Sequence, residues 1–130
     1  MPLTPNSPGV HHFGLRCLDF SKTKRFYQEL IGFRLALETE ELMAFVIGGV
    51  VIVFKQANPP HPEDKTFTPF NIGLDHIALT VETESELQRL AEGLKAANVE
   101  NTGVKTDTVL KKQYVAFKDP DRIQWEFYMK

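Results

Sequence analysis

Hydrophobic and polar residues alternate along several short segments of the chain, which is the pattern of half-buried β-strands. In GLDHIALTV, residues 73–81, this alternation predicts one apolar face and places His76 on the other face. In GVHHFGLRC, residues 9–17, the same alternation places His12 on the polar face. The last such segment, IQWEFYM, has its tryptophan on the apolar face and Glu126 on the opposite one.

Two segments between the predicted strands have the period of amphipathic helices. In DFSKTKRFYQELIGF, either Asp19 or Ser21 can cap the start, and Gly32 can end the helix. In TESELQRLAEGLKAAN, Thr83 and Glu86 have the spacing of a capping box, and the leucines share one face. Each predicted helix therefore follows a strand that carries a histidine.

The remaining strand-like segments give the two halves of the chain the same order of elements. They lie at 33–38, 42–47 and 50–55 in the first half, and near 104–109, at 112–118 and at 123–129 in the second. The pattern predicts an α+β chain of two βαβββ modules in tandem, 9–55 and 73–130. The repeat sets His12 and His76 at the same place in each module, so they would face each other across a shared sheet.

Prolines mark the segments outside the modules. The stretch QANPPHPEDKTFTPFN breaks all periodicity, so residues 56–72 are predicted to be a linker or a surface loop over a site. The segment MPLTPNSP predicts an extended arm over residues 1–8, before a single domain that covers 9–130.

Composition and charge exclude several classes of function. The chain has 130 residues, 42% of them hydrophobic and 25% charged, as in one soluble globular domain. Its formal net charge of −2 and its lack of a large basic cluster make nucleic acid an unexpected partner. The longest apolar run, LMAFVIGGVVIVF, is too short to span a bilayer and is broken by two glycines, so no membrane association is expected. The single cysteine, Cys17, excludes an internal disulfide and is expected in the core, and a cytoplasmic location is expected.

Three side chains on the polar faces of the first and last strands suggest a metal site. His12, His76 and Glu126 would bring two imidazoles and one carboxylate together on rigid strands. Such a set binds a divalent metal and leaves coordination positions open for water or substrate. Each residue has an ordinary alternative, because a single His on a strand usually forms a hydrogen bond and a single Glu is usually solvated.

The paired modules, the histidine in the first strand of each and the segment FKDPDRIQWEFY at 117–128 resemble the vicinal oxygen chelate superfamily. This group includes glyoxalase I, extradiol dioxygenases, fosfomycin-resistance proteins and bleomycin-resistance proteins. The resemblance covers nearly the whole chain and implies a curved, barrel-like mixed sheet with the helices outside. It also implies that His12, His76 and Glu126 are metal ligands.

The sequence departs from that family at two positions. Aligning IVFK with WEFY sets Val53 opposite Glu126, where proteins similar to glyoxalase I place a carboxylate or amide. Because valine cannot bind a metal, the remaining ligands resemble those of extradiol dioxygenases and fosfomycin-resistance enzymes. The second departure is Arg122, which stands where the family usually has the Gly of a DPDG turn, so a changed turn or mild strain is expected.

Further polar residues are candidates for contacts with the substrate. Those predicted to point inward are Arg16, Lys55, Thr80, Gln124 and Tyr128. Lys55 and Tyr128 have the alternative of reaching solvent from the strand ends. Tyr114 is a candidate catalytic donor or a packed aromatic, and His61 is a candidate acid or base or a solvated loop residue. His11 should point to the face opposite His12 and is not expected to be a ligand.

The resemblance implies a metal-dependent enzyme that acts on a small oxygenated metabolite through bidentate oxygen chelation. The predicted ligands favour chemistry like that of extradiol dioxygenases and do not choose between Fe(II), Mn, Ni and Zn. The alternatives are a glyoxalase-like lyase or isomerase, a fosfomycin-type thiol transferase, and a metal-free binding protein similar to bleomycin-resistance proteins. A homodimer is expected, and the sequence leaves open whether modules pair within or between chains.

Overall fold

The computed structural model describes residues 1–58 and 65–130. The chain divides into two compact units, one on each side of the segment between these ranges. Each unit is one βαβββ module. In the part of the chain that is described, no helix has the length and apolar character needed to cross a membrane.

The first module contains four strands and one helix. Its elements are β1 (His12–Cys17), α1 (Phe20–Lys24, continued by a π-helical segment over Arg25–Ile31), β2 (Arg34–Glu38), β3 (Leu42–Ile47) and β4 (Val50–Gln56). The sheet order is β1-β4-β3-β2, with β1 parallel to β4 and the other pairs antiparallel. Asp19 caps α1 by accepting hydrogen bonds from the Ser21 and Lys22 amides, and Gly32 ends it at φ 87°.

The second module repeats this plan. Its elements are β5 (Ile77–Val81), α2 (Glu84–Ala96), β6 (Lys105–Thr106), β7 (Gln113–Lys118) and β8 (Gln124–Met129). The sheet order is β5-β8-β7-β6, with the same mixture of one parallel and two antiparallel pairs. Thr83 caps α2 by accepting a hydrogen bond from the Glu86 amide. The predicted α+β fold of two βαβββ modules, each with a mixed sheet, is confirmed.

Each module buries the apolar face of its own sheet. In the first module the Tyr27 ring of the helix packs on Phe54, with 4.7 Å between ring centroids. In the second module Trp125 of β8 is completely buried, and α2 packs on β5, β7 and β8. Cys17 is also buried, as expected for a core residue. The polar faces of the sheets remain available to carry chemistry.

Two strands of the second module are shorter than the sequence pattern predicts. β5 begins at Ile77, so His76 lies immediately before the strand. β6 ends at Thr106, because the Asp107 side chain accepts hydrogen bonds from the Val109 and Leu110 amides and turns the chain out of the sheet. Both differences occur at the cavity described below.

The turn before β8 has a residue other than glycine in the left-handed region. Arg122 has φ 68°, and its amide donates to the Asp119 carbonyl at 2.9 Å. The buried Asp119 carboxylate accepts from the Asp121 and Ile123 amides, which holds the turn from inside. The mild strain that was expected at this turn therefore arises because Arg122, which is not glycine, occupies the left-handed region.

Candidate functional site

His76 and Glu126 meet at the polar face of the second sheet. The parallel register of β5 and β8 sets Ala78 beside Glu126, and His76 lies two residues before Ala78 on the same side. The distance from His76 Nε2 to Glu126 Oε2 is 3.4 Å. The His76 side chain is 37% exposed and that of Glu126 is 12% exposed, so the pair is reachable but partly shielded from water.

A second carboxylate orients the His76 ring. Asp75 Oδ1 lies 2.6 Å from His76 Nδ1, so the imidazole donates its Nδ1 proton to Asp75. In the neutral imidazole with its proton on Nδ1, the lone pair of Nε2 points toward Glu126. Histidines that bind metals almost always donate their other ring N–H to a carboxylate, a carbonyl or water.

The pair opens into a cavity of about 550 Å³ that lies entirely within the second module. Its lining residues are His76, Ala78, Thr106, Asp107, Thr108, Leu110, Tyr114, Glu126 and Tyr128. The lining is acidic, because it holds two carboxylates and, among the described residues, no Lys or Arg. A small molecule with both polar and apolar parts fits such a surface.

Two tyrosines form one wall of this cavity. The rings of Tyr114 and Tyr128 stack with their centroids 5.9 Å apart and their planes 16° from parallel. The Tyr128 hydroxyl donates a hydrogen bond to Asp107 Oδ2 at 2.9 Å. Within the described residues the Tyr114 hydroxyl is not engaged in a comparable bond, which leaves it able to donate to a ligand.

The pKa values of the cavity residues reflect burial and neighbouring carboxylates. Partial burial raises the pKa of Glu126; His76 opposes this effect, and Asp107 and Asp75 reinforce it. The amides of Val109 and Leu110, with the Tyr128 hydroxyl, hold the pKa of Asp107 below its usual range.

Desolvation and the hydrogen bond to Asp107 raise the pKa of Tyr128 to about 12. Tyr128 therefore keeps its proton throughout the neutral range. It serves as a fixed hydrogen-bond donor to Asp107 rather than as a base.

The first module has no counterpart of Glu126. Gly14 of β1 pairs with Val53 of β4 in the register that Ala78 and Glu126 have in the second module. The alignment of Val53 with Glu126 is thus reproduced by the strand pairing. Valine offers no atom to a metal, so this position of the first module carries no donor.

His12 begins β1 and lies beside His11. The two Nδ1 atoms are 2.8 Å apart and the ring planes are at 82°. The ring of His11 therefore reaches the ring of His12, a contact that strict alternation of faces does not predict. Strict alternation of faces holds only inside a strand, and His11 precedes the first paired residue of β1.

The other predicted site residues are distributed differently. Tyr114 and Tyr128 line the cavity, whereas Gln124 lines a separate cavity of about 180 Å³ and Thr80 lines neither. Arg16 of the first module is exposed, donates from Nη1 to the Gln56 carbonyl, and pairs across the sheet with Lys55.

His61 lies outside the described residues. Asp75 and Asp107 were not among the site residues predicted from the sequence. Asp75 could have been found from its place next to His76. Strand alternation, however, assigns neighbouring residues to opposite faces and so gave no reason to pair them. For Asp107 the signal was an aspartate at the start of a turn.

The donor atoms of His76 and Glu126 suit a divalent metal. Bonds of 2.0–2.2 Å to a tetrahedral ion would place two such donors about 3.4 Å apart, and the observed separation is 3.4 Å. No group of three or more His, Cys, Asp and Glu side chains is assembled for a metal among the residues that are described. The second module thus supplies two donors and one orienting carboxylate.

Comparison with known proteins identifies the family. Residues 9–127 match the model of the Glyoxalase/Bleomycin resistance protein/Dioxygenase superfamily. The chain belongs to this superfamily. It is 30% identical to the uncharacterized protein YwkD of Bacillus subtilis (strain 168), over 92% of this chain and 94% of YwkD.

Two further proteins resemble the chain. It is 24% identical to the metallothiol transferase FosB of Staphylococcus saprophyticus, over 92% of this chain and 75% of FosB. A glyoxalase/bleomycin resistance protein/dioxygenase domain from Frankia sp. EAN1pec has the same fold, with a TM-score of 0.81 and 24% identity over 95% of this chain and 98% of that one. The superfamily includes enzymes that act on small molecules with a divalent metal, which agrees with the donors found here.

Proposed function

We propose that this protein is a divalent-metal-dependent enzyme that acts on a small oxygenated metabolite. His76 and Glu126, with His12 as the third ligand, would hold the metal. The arrangement that carries the proposal is Asp75–His76–Glu126, in which an oriented imidazole faces a carboxylate at 3.4 Å in the wall of a cavity. Fe(II), Mn, Ni and Zn all suit this mixture of nitrogen and oxygen donors.

A metal held by these residues would supply Lewis-acid stabilisation of the negative charge that develops on two adjacent oxygens of the substrate. The residues of the cavity have separate tasks. Tyr114 is positioned to donate a hydrogen bond to a substrate oxygen, because its ring is held by stacking on Tyr128. Tyr128 holds Asp107 in place and thereby keeps the turn at 107–111 beside the cavity.

The charge of the cavity favours one reaction class. Apart from the proposed metal, a phosphonate or another strong anion would find no cationic side chain among the described lining residues and would lie near the Asp107 carboxylate. A neutral vicinal diol with an apolar body avoids this repulsion and can pack on Leu110 and the tyrosine rings. These properties support dioxygenase-like chemistry on such a diol as the first candidate.

A thiol transferase acting on an epoxide is the second candidate. It is favoured by the similarity to FosB, a metallothiol transferase, over most of this chain. Both candidates need the same metal ligands, so ligand substitution tests the metal site and substrate panels separate the reactions. A metal-free binding protein is the outcome if no metal binds.

The metal site is tested with His76→Ala and Glu126→Ala, each measured for bound metal per chain by elemental mass spectrometry and for folding by circular dichroism. We expect both variants to lose most of their metal and to keep their fold. Val53→Ala is the matched control, because it changes the equivalent strand position without removing a donor. Unchanged metal content in both ligand variants would overturn the proposal.

The reaction is tested on the same preparations. With Fe(II) and oxygen, a panel of catechols should give the absorbance of ring-cleaved products. With Mn²⁺, fosfomycin and a thiol should give an adduct if the second candidate is correct. Metal binding without turnover in either panel would exclude both reaction classes on these substrates.

A further inference from the structure

The residue before each of the two module histidines contacts that histidine's ring in the same way. Asp75 Oδ1 lies 2.6 Å from His76 Nδ1, and His11 Nδ1 lies 2.8 Å from His12 Nδ1. The two pairs occupy equivalent positions in the repeat, because Asp75 and His76 directly precede β5 and His11 directly precedes His12, the first residue of β1. The contact at His12 is thus the counterpart of the Asp75 contact, with an imidazole in place of a carboxylate.

The contact between His11 and His12 needs a single proton. Two neutral imidazole nitrogens at 2.8 Å form a hydrogen bond only if one carries the proton and the other accepts it. If His12 Nδ1 is the donor, its Nε2 keeps a lone pair and can bind a metal. If His11 Nδ1 is the donor, the proton of neutral His12 resides on Nε2 and blocks binding there.

We propose that His11 is a positioning residue that accepts the Nδ1 proton of His12 and so holds His12 in the tautomer that binds a metal through Nε2. The inference rests on the proposed function, because it takes His12 to be a ligand. His11 would do for His12 what Asp75 does for His76. A neutral acceptor replaces a charged one, so the first module orients its ligand without adding a negative charge.

An alternative use of the same contact is direct ligation by both histidines. Nitrogens 2.8 Å apart are close enough to bind one ion together through Nδ1. The two roles respond differently to asparagine at position 11. Its amide oxygen can accept the His12 proton, as Asp75 does in the second module, but it is a much poorer ligand than imidazole.

The test measures Co²⁺ affinity by titration of the visible spectrum for the wild type, His11→Asn, His11→Ala and His12→Ala. Loss of an outer partner of a metal ligand typically costs about 10–100-fold in affinity. We expect His11→Ala to weaken binding by about that factor and His11→Asn to restore most of it. Failure of asparagine to rescue would overturn the positioning role in favour of direct ligation.

A second readout is independent of the metal. The ¹⁵N shifts of the His12 ring in the metal-free protein, recorded at a pH where imidazoles are neutral, report which nitrogen carries the proton. We expect the proton on Nδ1 in the wild type and in His11→Asn, and a mixture of tautomers in His11→Ala. A wild-type His12 with its proton on Nε2 would overturn the inference.

The design separates this inference from the proposed function. If His12→Ala leaves Co²⁺ affinity unchanged, His12 is not a ligand and the proposed ligand set fails. If His12→Ala abolishes high-affinity binding and His11→Ala has no effect, the ligand set stands and the role of His11 fails.

Discussion

The two modules share a topology and differ in the side chains that stand at equivalent positions. Both pair their first and last strands in parallel, with His12 as the first residue of β1 and His76 directly before β5. The second module adds Glu126 opposite Ala78, whereas the first has Val53 opposite Gly14. The repeated backbone therefore provides equivalent positions, and the residue at each position decides whether a donor atom is present.

The helices of the two modules also differ. α2 is a regular helix over Glu84–Ala96, whereas α1 continues into a π-helical segment that ends when the Gly32 amide bonds to the Tyr27 carbonyl. This wider segment places Tyr27 fully in the first core, against Phe54. The second core is built on Trp125 instead. Equivalent layers are thus filled by different side chains.

The largest expected effect comes from restoring the donor that the first module lacks. Val53→Glu places a carboxylate at the position equivalent to Glu126, and we expect metal affinity to rise by at least about tenfold, the scale on which even outer-shell partners act. Val53→Gln and Val53→Leu are the graded controls, the second of which adds no donor. Isothermal titration with Zn²⁺ measures the effect, and equal affinities in all three variants would mean that Val53 does not face the bound ion.

A smaller effect is expected at the turns that precede the last strand of each module. Gly48 of the first module has φ 56° and Arg122 of the second has φ 68°, so both occupy the left-handed region. Side chains in this region cost about 1 kcal/mol or more relative to glycine. We expect Gly48→Ala to destabilise the protein, and Arg122→Gly to be more stable than Arg122→Ala, each by about 1 kcal/mol.

Comparing the two variants at position 122 removes the ion pair between Arg122 and Glu100 from the result, since neither variant can form it. Urea denaturation measures the free energy of unfolding. Equal stability of Arg122→Gly and Arg122→Ala would show that the second turn relaxes to another shape.

The smallest effect is a pH dependence confined to the second module. The pKa of Asp107 is lowered in the folded protein by the amides of Val109 and Leu110 and by the Tyr128 hydroxyl. Its carboxylate therefore stabilises the fold above its unfolded pKa of about 3.9, and this contribution is lost as the pH falls through the lower folded value. Asp107→Asn keeps an acceptor oxygen but cannot ionise.

We therefore expect the wild type to be more stable than Asp107→Asn near neutral pH and the difference to shrink in acid. Urea denaturation of both proteins across this range measures it. A difference that stays constant with pH would show that the carboxylate charge contributes nothing.

Most of the fold could be predicted from the sequence because local patterns dominate it. Alternation identified the strands, capping residues such as Asp19 and Thr83 marked the helix starts, and the repeat gave the order of elements. The predictions failed at strand ends, where β5 begins at Ile77 and β6 ends at Thr106. There the chain leaves the sheet because of side-chain hydrogen bonds, which periodicity does not record.

Residue identity and strand alternation were enough to show which residues of the second module could form a site. His76 and Glu126 lie on the polar faces of their strands, and any parallel pairing in this register brings them together. The sequence also determined that Val53 cannot be a ligand, since side-chain chemistry alone settles this. These properties follow from residue identity and a period of two.

The way in which the site is held depends on contacts in the folded protein. Three contacts depend on where strand pairing begins and ends. They are the contact of His11 with His12, that of Asp75 with His76, and the hydrogen bond from Tyr128 to Asp107. At those ends the alternation of faces no longer constrains the side chains, so neighbouring residues can approach one another. Hydrogen bonding in three dimensions, rather than periodicity, then sets the geometry.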